Sequence, residues 1–336
     1  MNPEPIVQPL LKLRTLITGD VLIEHYEKGG RDFSRLELQQ ITVIGANLVD
    51  ICFSRSLLDN ADLSGTNLTH SDFNRAELSN ARLISAKLIG ANFISANLNY
   101  AHLAWANLHE ATFISADLSN ANLKQAKLTN ADFRGANLRG ANLSGVNLQG
   151  ADLSRADLSG ADLTGVNLSG ANLCRADLSE ANLSKADLTN ANLYKTDLSR
   201  SNFQRSNLDN AYLKRSNFQR ANLRGASLNG AVFRDIDISL ISLSEFNLQG
   251  ALLANTIDMN SVCLRGANLT GVNLNGANLG YALMQHTYGL EANFQCANLT
   301  DSSFYNVDLR GAFLRNTSLC DINMTETIMP DGSIHP

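Results

Sequence analysis

The chain is poor in the residues that punctuate or staple ordinary domains. Its 336 residues include only 5 prolines, 1 tryptophan and 5 cysteines. The cysteines (Cys52, Cys174, Cys263, Cys296 and Cys320) are odd in number, and none lies at CxxC spacing. That argues against a disulfide framework or a zinc site and points to a reducing, cytoplasmic setting. No uninterrupted apolar run approaches the roughly 18 residues that suggest a membrane-spanning helix. The start, MNPEPIVQPLLKLRTLITGD, lacks the basic, apolar and small-residue succession of a signal peptide. There is no basic surplus either. Thirty-two acids against 27 bases leave a net charge of -5, which speaks against a general nucleic-acid binder.

What is present is a period of five. From Ala61 the text runs ADLSG TNLTH SDFNR AELSN ARLIS. From Leu63 to Leu253 every fifth residue is Leu or Phe, Ile238 alone excepted. Two residues before it stands Ala, in 27 of the 35 blocks that start between Ala61 and Ala231. Asn or Asp usually separates them. Five matches neither the 3.6 of a helix nor the 2 of a long strand. It suits a short extended piece followed by a corner. Alternation then points the Ala and Leu/Phe positions inward and the Asn/Asp outward. Phe33, Phe53, Phe73, Phe93, Phe113 and Phe133 recur at intervals of 20, so stacked rings predict four blocks per coil and a square cross-section. Sixty central positions then give about fifteen four-sided coils, spanning about 70 Å at strand spacing.

The A(D/N)LXX pattern, covering most of the chain, resembles the pentapeptide-repeat family. The segment entering Arg31-Asp32-Phe33 is similar to members common in cyanobacteria. The resemblance implies an all-β solenoid, a right-handed quadrilateral β-helix. It is nearly silent on function, although some relatives mimic DNA and bind gyrase, a type II topoisomerase.

Three segments are expected: a helical N-terminal cap at 1–30, the repeat at 31–329, and a C-terminal tail at 330–336. In the cap, Asp20 is read as the N-cap of a helix from Val21 to Tyr26, Gly29 as its stop, and Ile6–Leu16 as a further helical turn or two. Leu36, Ile41 and Ile51 replace Ala and predict a wider first coil. A one-residue insertion near 254–258 predicts a bulge, and Phe246 at an Ala position is a further irregularity. Gly289 at a central position predicts an irregular coil near 285–291, and the tail is expected to turn away from the tube.

No catalytic arrangement emerges. His109-Glu110 begins a zinc-protease motif, but Phe113 stands where the second His belongs. The sequence predicts no enzyme, no catalytic, cofactor or metal residues and no cofactor. Candidates for an interaction surface are Ile84, Ile94, Trp105 and Ile114, apolar where water is expected, and Arg200, Arg205, Arg215 and Arg220, where acids thin out. Arg155, Arg175 and Lys195, each followed by an Asp two residues on, are expected to form a salt-bridge ladder. The favoured reading is a non-catalytic scaffold whose partner is another protein. No direct nucleic-acid or membrane contact is expected, and the sequence leaves the oligomeric state open between a monomer and an end-to-end dimer. The alternative is an inhibitor or protector of a type II topoisomerase.

Overall fold

A computed structural model describes residues 17–223, 226–228, 231–232 and 264–336. One block shows why five residues suffice. In Ala91–Ser95, Ala91 and Phe93 are wholly buried, Asn92 forms the strand bridge, and Ile94 and Ser95 turn the chain. Every backbone N–H in the block has an acceptor. Ala91 donates to Leu88 O (3.1 Å), Asn92 to Ser71 O (2.9 Å), Phe93 to Thr112 O (2.7 Å) and Ser95 to Ile114 O (3.0 Å). Ile94 N–H donates to a side chain instead, Asn92 Oδ1 at 3.1 Å. That bond is the physical reason for Asn or Asp at the second position: its side chain closes the turn that follows.

The bridges set the register. Asn92 pairs in parallel with Asp72 and with Thr112, and the same step of 20 residues recurs throughout the described chain. Four blocks therefore make one coil. The corner residue is left-handed, with Ser95 at φ 55° and Tyr100 at φ 58°. Glycine adopts that conformation freely; other L-residues do so at about 1–2 kcal/mol.

The chain divides into two compact units, Met1–Asp162 and Leu163–Pro336. Unit 1 holds the phenylalanine ladder. Phe73, Phe93, Phe113 and Phe133 lie with centroids 4.8, 4.9 and 4.7 Å apart and planes within 5°. The Phe33–Phe53 pair, nearest the cap, is looser, at 6.1 Å and 49°. Leu36, Ile41 and Ile51 are buried at their small-residue positions. Where Thr takes such a position its hydroxyl still finds a partner, as Thr66 Oγ1 donates to Val43 O at 2.8 Å.

Helix α1 (Gly19–Glu27) packs on the first coil through Leu22, which is fully buried. Its N-cap is Thr18, not Asp20; Thr18 Oγ1 accepts from Val21 N, leaving Asp20 in the first turn. The reason is proximity. A Cβ on Gly19 would lie 2.0 Å from Thr42 O, so only glycine lets the helix start this close to the coil. Gly29, at φ 94°, stops the helix, donating to Tyr26 O at 2.9 Å. Tyr26 Oη donates to Val49 O at 2.8 Å. The expected turns at Ile6–Leu16 lie outside the described residues.

Unit 2 keeps the same coil. Its inward phenylalanines meet across the bore: Phe294 and Phe304, ten residues apart, approach at 6.1 Å edge to face. Two expectations fail here. The coil at 285–291 is regular. Tyr288 bridges both Asn268 and Asp308, and Gly289 N–H donates to Asp308 O at 2.7 Å. The volume missing at Gly289 is taken up by its neighbours, since a Cβ there would already meet Leu309 Cδ2 at 3.0 Å and Phe294 Cε2 at 3.7 Å. The tail does not leave either. Gly332, at φ 87°, reverses the chain, and Ile334 returns antiparallel to Ile328. Met329 N–H donates to Ser333 O (2.7 Å) and His335 N–H to Thr327 O (2.8 Å), covering a strand edge that invites association when open. The expected bulge near 254–258 and the irregularity at Phe246 lie outside the described residues.

Candidate functional site: the outer walls and corners

With Leu, Phe and small residues filling the interior, chemistry is left to outward side chains and corners. Most Asn and Asp on the walls are committed to turns or ladders. Asp157, Asp177 and Asp197 accept from the backbone N–H of Ser159 (2.9 Å), Ser179 (2.8 Å) and Ser199 (2.9 Å). This overturns the expected salt-bridge ladder. No ion pair joins these acids to Arg155, Arg175 or Lys195. Lys195 instead lies 5.4 Å from the Tyr194 ring. The described ion pairs lie elsewhere, among them Arg82–Asp62 (3.2 Å), Arg134–Asp132 (2.6 Å), Arg200–Glu180 (2.9 Å) and Arg310–Asp308 (2.7 Å).

The titration of these groups follows their contacts. At Asp308 the hydrogen bond from Arg310 holds the carboxyl below its usual range. At Asp62 burial pushes upward, but Ser64 and Arg82 together win and hold it low. Tyr281 is pushed up by its hydrogen bond to Asp301. These are the shifts of exposed ion pairs and hydrogen bonds, not of a desolvated reactive group. Among the described residues, no group of three or more His, Cys, Asp or Glu could hold a metal ion.

Unit 1 carries the apolar candidates on three consecutive corners. Ile94 and Ile114 are half-buried and stacked, with Ser95 N–H donating to Ile114 O at 3.0 Å. Five residues on, Tyr100 takes the next corner, 53% exposed. Five further, Trp105 is 62% exposed at φ 64°. Ile84 lies half-buried beside this last corner, since Ser85 N–H donates to Ala104 O at 2.9 Å. Ile44, 62% exposed in the same twenty-residue column as Ile84, joins it. Sequence reading missed Ile44 because the ragged first coil hid its register. The walls between these corners carry Asn97 and His102.

Trp105 stands out physically. A large exposed indole sits in a backbone conformation that favours glycine, in a corner column that elsewhere holds Gly45, Gly65 and Gly145. The fold gains little from it. Trp105→Gly is therefore expected to raise stability by about 0.5–1 kcal/mol, read as a higher denaturation midpoint. A loss above about 1 kcal/mol would mean the indole is a packing residue after all.

The basic candidates belong to unit 2. Arg200, Arg205, Arg215 and Arg220 are all exposed corner residues with φ from 58° to 61°. They stand on three adjacent corners rather than one. Tyr281, at a corner, and Tyr288 and Phe313, at outward wall positions usually held by Asn or Asp, are also exposed, at 58%, 57% and 55%, and were not among the sequence candidates.

In each unit the described residues form four-sided coils with a filled interior, the geometry of a repeat scaffold. The chain belongs to the pentapeptide-repeat family, whose members are right-handed quadrilateral β-helices. The family model for pentapeptide repeats matches in 8 copies, over residues 37–75, 76–113, 116–155, 156–193, 267–304 and 302–331. A pentapeptide repeat region model matches 176–253. Among solved structures, the chain is similar to HetL, a pentapeptide repeat protein involved in heterocyst differentiation regulation from the cyanobacterium Nostoc sp. strain PCC 7120. The identity is 26%, covering 95% of this chain and 100% of that one, with a TM-score of 0.31. A pentapeptide repeat protein of the Arabidopsis thaliana thylakoid lumen is 33% identical over 31% of this chain and 72% of its own, with a TM-score of 0.30. QnrB1, a plasmid-mediated fluoroquinolone resistance protein, is 20% identical over 61% and 87%, with a TM-score of 0.37. No curated protein matches the chain.

Proposed function

We propose that this chain is a non-catalytic protein-interaction scaffold of the cytoplasm, and that the corner bearing Trp105 is a point of contact with another protein. The observation that carries the reading is the 62% exposed indole at φ 64°. It occupies a strained corner that glycine would fill at lower cost, and it is flanked by Ile84 and Tyr100. Exposed aromatic and aliphatic groups in one band are the chemistry of interface centres. The sixty pentapeptide blocks of the sequence, about fifteen coils' worth, supply long outer walls and no motif for covalent chemistry.

The test is capture from the source cells on immobilised protein, with wild type, Trp105→Asp and Ile114→Asp compared. A protein retained by wild type and lost from Trp105→Asp, with both baits showing the same melting curve, supports the reading. Identical retention by all three baits counts against it.

A second reading has one observation in its favour. Outward acids stack on one another, Asp132 on Asp152 in unit 1 and Asp177 on Asp197 in unit 2, as a mimic of a phosphate backbone requires. Under that reading the protein inhibits or protects a type II topoisomerase. The arginine-bearing corners of unit 2 weigh against it. A gyrase supercoiling assay separates the two: unchanged supercoiling and unchanged quinolone sensitivity remove the mimic.

A further inference from the structure

Unit 2 concentrates cations on three consecutive corners between residues 175 and 220. One corner column holds Arg175, Lys195 and Arg215, the next Glu180, Arg200 and Arg220, and the next Lys185 and Arg205. Within a column, successive residues are about 4.8 Å apart, the spacing of neighbouring strands. Glu180 is the one acid on these corners, and Arg200 takes it at 2.9 Å. Lys185, Arg205 and Arg220 make no ion pair among the described residues. Residues 198–223 carry Arg200, Arg205, Lys214, Arg215 and Arg220 against Asp209 alone, in a chain whose net charge is -5.

Between residues 180 and 223, the wall between the Arg200/Arg220 corner and the Lys185/Arg205 corner has no carboxylate. It is an amide ladder. Asn202 Nδ2 donates to Asn182 Oδ1, and Asn222 Nδ2 to Asn202 Oδ1, each at 3.1 Å. The result is a neutral, hydrogen-bonding floor with guanidinium or ammonium groups along both edges. Each edge cation also sits at a left-handed corner, where the glycines at 160 and 165 show what such a corner alone would prefer. Crowding like charges at strained positions opposes stability.

We propose that this amide floor and its flanking corners bind a short acidic segment of a partner protein. Arg205 and Arg220 hold carboxylates through their planar forks, Lys185 adds a point charge, and the Asn ladder meets the segment's backbone. The site is separate from the Trp105 corner and stands without it. Its limits favour a compact acidic peptide over a nucleic acid. Around it, Asp177 and Asp197 lie on the wall before, Asp187 on the wall after, and Glu180 on the Arg200/Arg220 corner, and together they repel a long phosphate chain running along the axis. Single strands also need aromatic platforms for their bases. The stacked pair Tyr194–Tyr212, at 6.2 Å, lies on the wall beyond the Arg175/Lys195/Arg215 corner, away from this floor.

The test uses the full chain with two fluorescent probes, a short oligoglutamate peptide and an oligothymidylate of matched charge, in low salt. Wild type should bind the peptide more tightly than the oligonucleotide. The pair Arg205→Glu with Arg220→Glu should weaken peptide binding about tenfold or more, the cumulative effect of reversing two exposed charges. Arg205→Gln with Arg220→Gln should weaken it less, and Arg139→Glu, an exposed arginine of unit 1, not at all. All variants should melt as wild type does. Equal affinity of wild type and the reversed pair, an equal loss in Arg139→Glu, or tighter binding of the oligothymidylate would each overturn the proposal.

Discussion

Leu128→Asp should abolish the cooperative unfolding transition of unit 1, while Lys127→Asp, one residue away, should leave it within about 0.5 kcal/mol of wild type. The two positions differ only in the direction they face. Leu128 is fully buried at a central position, and Lys127 points outward into solvent. Losing the leucine side chain costs about 2–5 kcal/mol of packing. Placing a polar group there without a partner costs roughly a further 2–7 kcal/mol, which together reaches the whole stability of a typical domain. In a solenoid the damage concentrates in the coils that touch it, because each coil contacts only its neighbours. The pH dependence has a definite sign. Burial raises the pKa of the introduced carboxyl above its unfolded value, so the neutral form is the tolerated one. Below the unfolded pKa the variant should regain part of its stability, and it should lose it as pH rises through the raised folded value. Chemical denaturation of both variants at neutral and acid pH reads this directly. A Leu128→Asp protein that melts like wild type would place residue 128 outside the core.

Phe93→Ala should cost about 3–5 kcal/mol, and Phe93→Leu far less. Phe93 lies between Phe73 and Phe113 at 4.8 and 4.9 Å, with planes 5° and 2° from parallel. Truncation opens a cavity that adjacent coils cannot close, since their hydrogen-bonded spacing is fixed. Leucine is the ordinary occupant of the central position, so Phe93→Leu loses only the ring stacking, about 0.5–1.5 kcal/mol. The same change at Phe33, where the pair is tilted by 49° at 6.1 Å, should cost less still. Equal losses at Phe33 and Phe93 would mean that the parallel stack adds nothing beyond bulk burial.

The coil was legible because it is overdetermined. Leu and Phe every fifth residue, Ala two places earlier and Phe every twentieth all demand the same square tube. Details set by a single close approach were not. That Thr18 rather than Asp20 caps α1 depends on the 2.0 Å that Gly19 leaves against Thr42 O. The regular coil at Gly289 depends on Phe294, from the next wall, and Leu309, from the next coil on the same wall, filling the gap, a compensation that lies five and twenty residues away in sequence. The wall acids near Arg155, Arg175 and Lys195 invited a reading as ion pairs, yet their carboxylates serve the turn N–H two residues on. On the surface, Trp105 was visible as an aromatic in a polar slot. Its left-handed backbone, which makes it costly, follows only from the corner geometry. Arg205 and Arg220 read as a thinning of acids in sequence, but the amide floor between their corners required the twenty-residue register.

That register is best tested with paired cysteines in a background where the native five are serine. Asn97→Cys with Asp117→Cys places thiols on bridged positions about 4.8 Å apart, inside the roughly 4.4–6.8 Å Cα window of a disulfide. Asn97→Cys with Asn122→Cys places them on different walls. Mild oxidation should close the first pair and leave the second as free thiols. Closure of the second pair, or failure of the first in a folded protein, would contradict a coil of four pentapeptides.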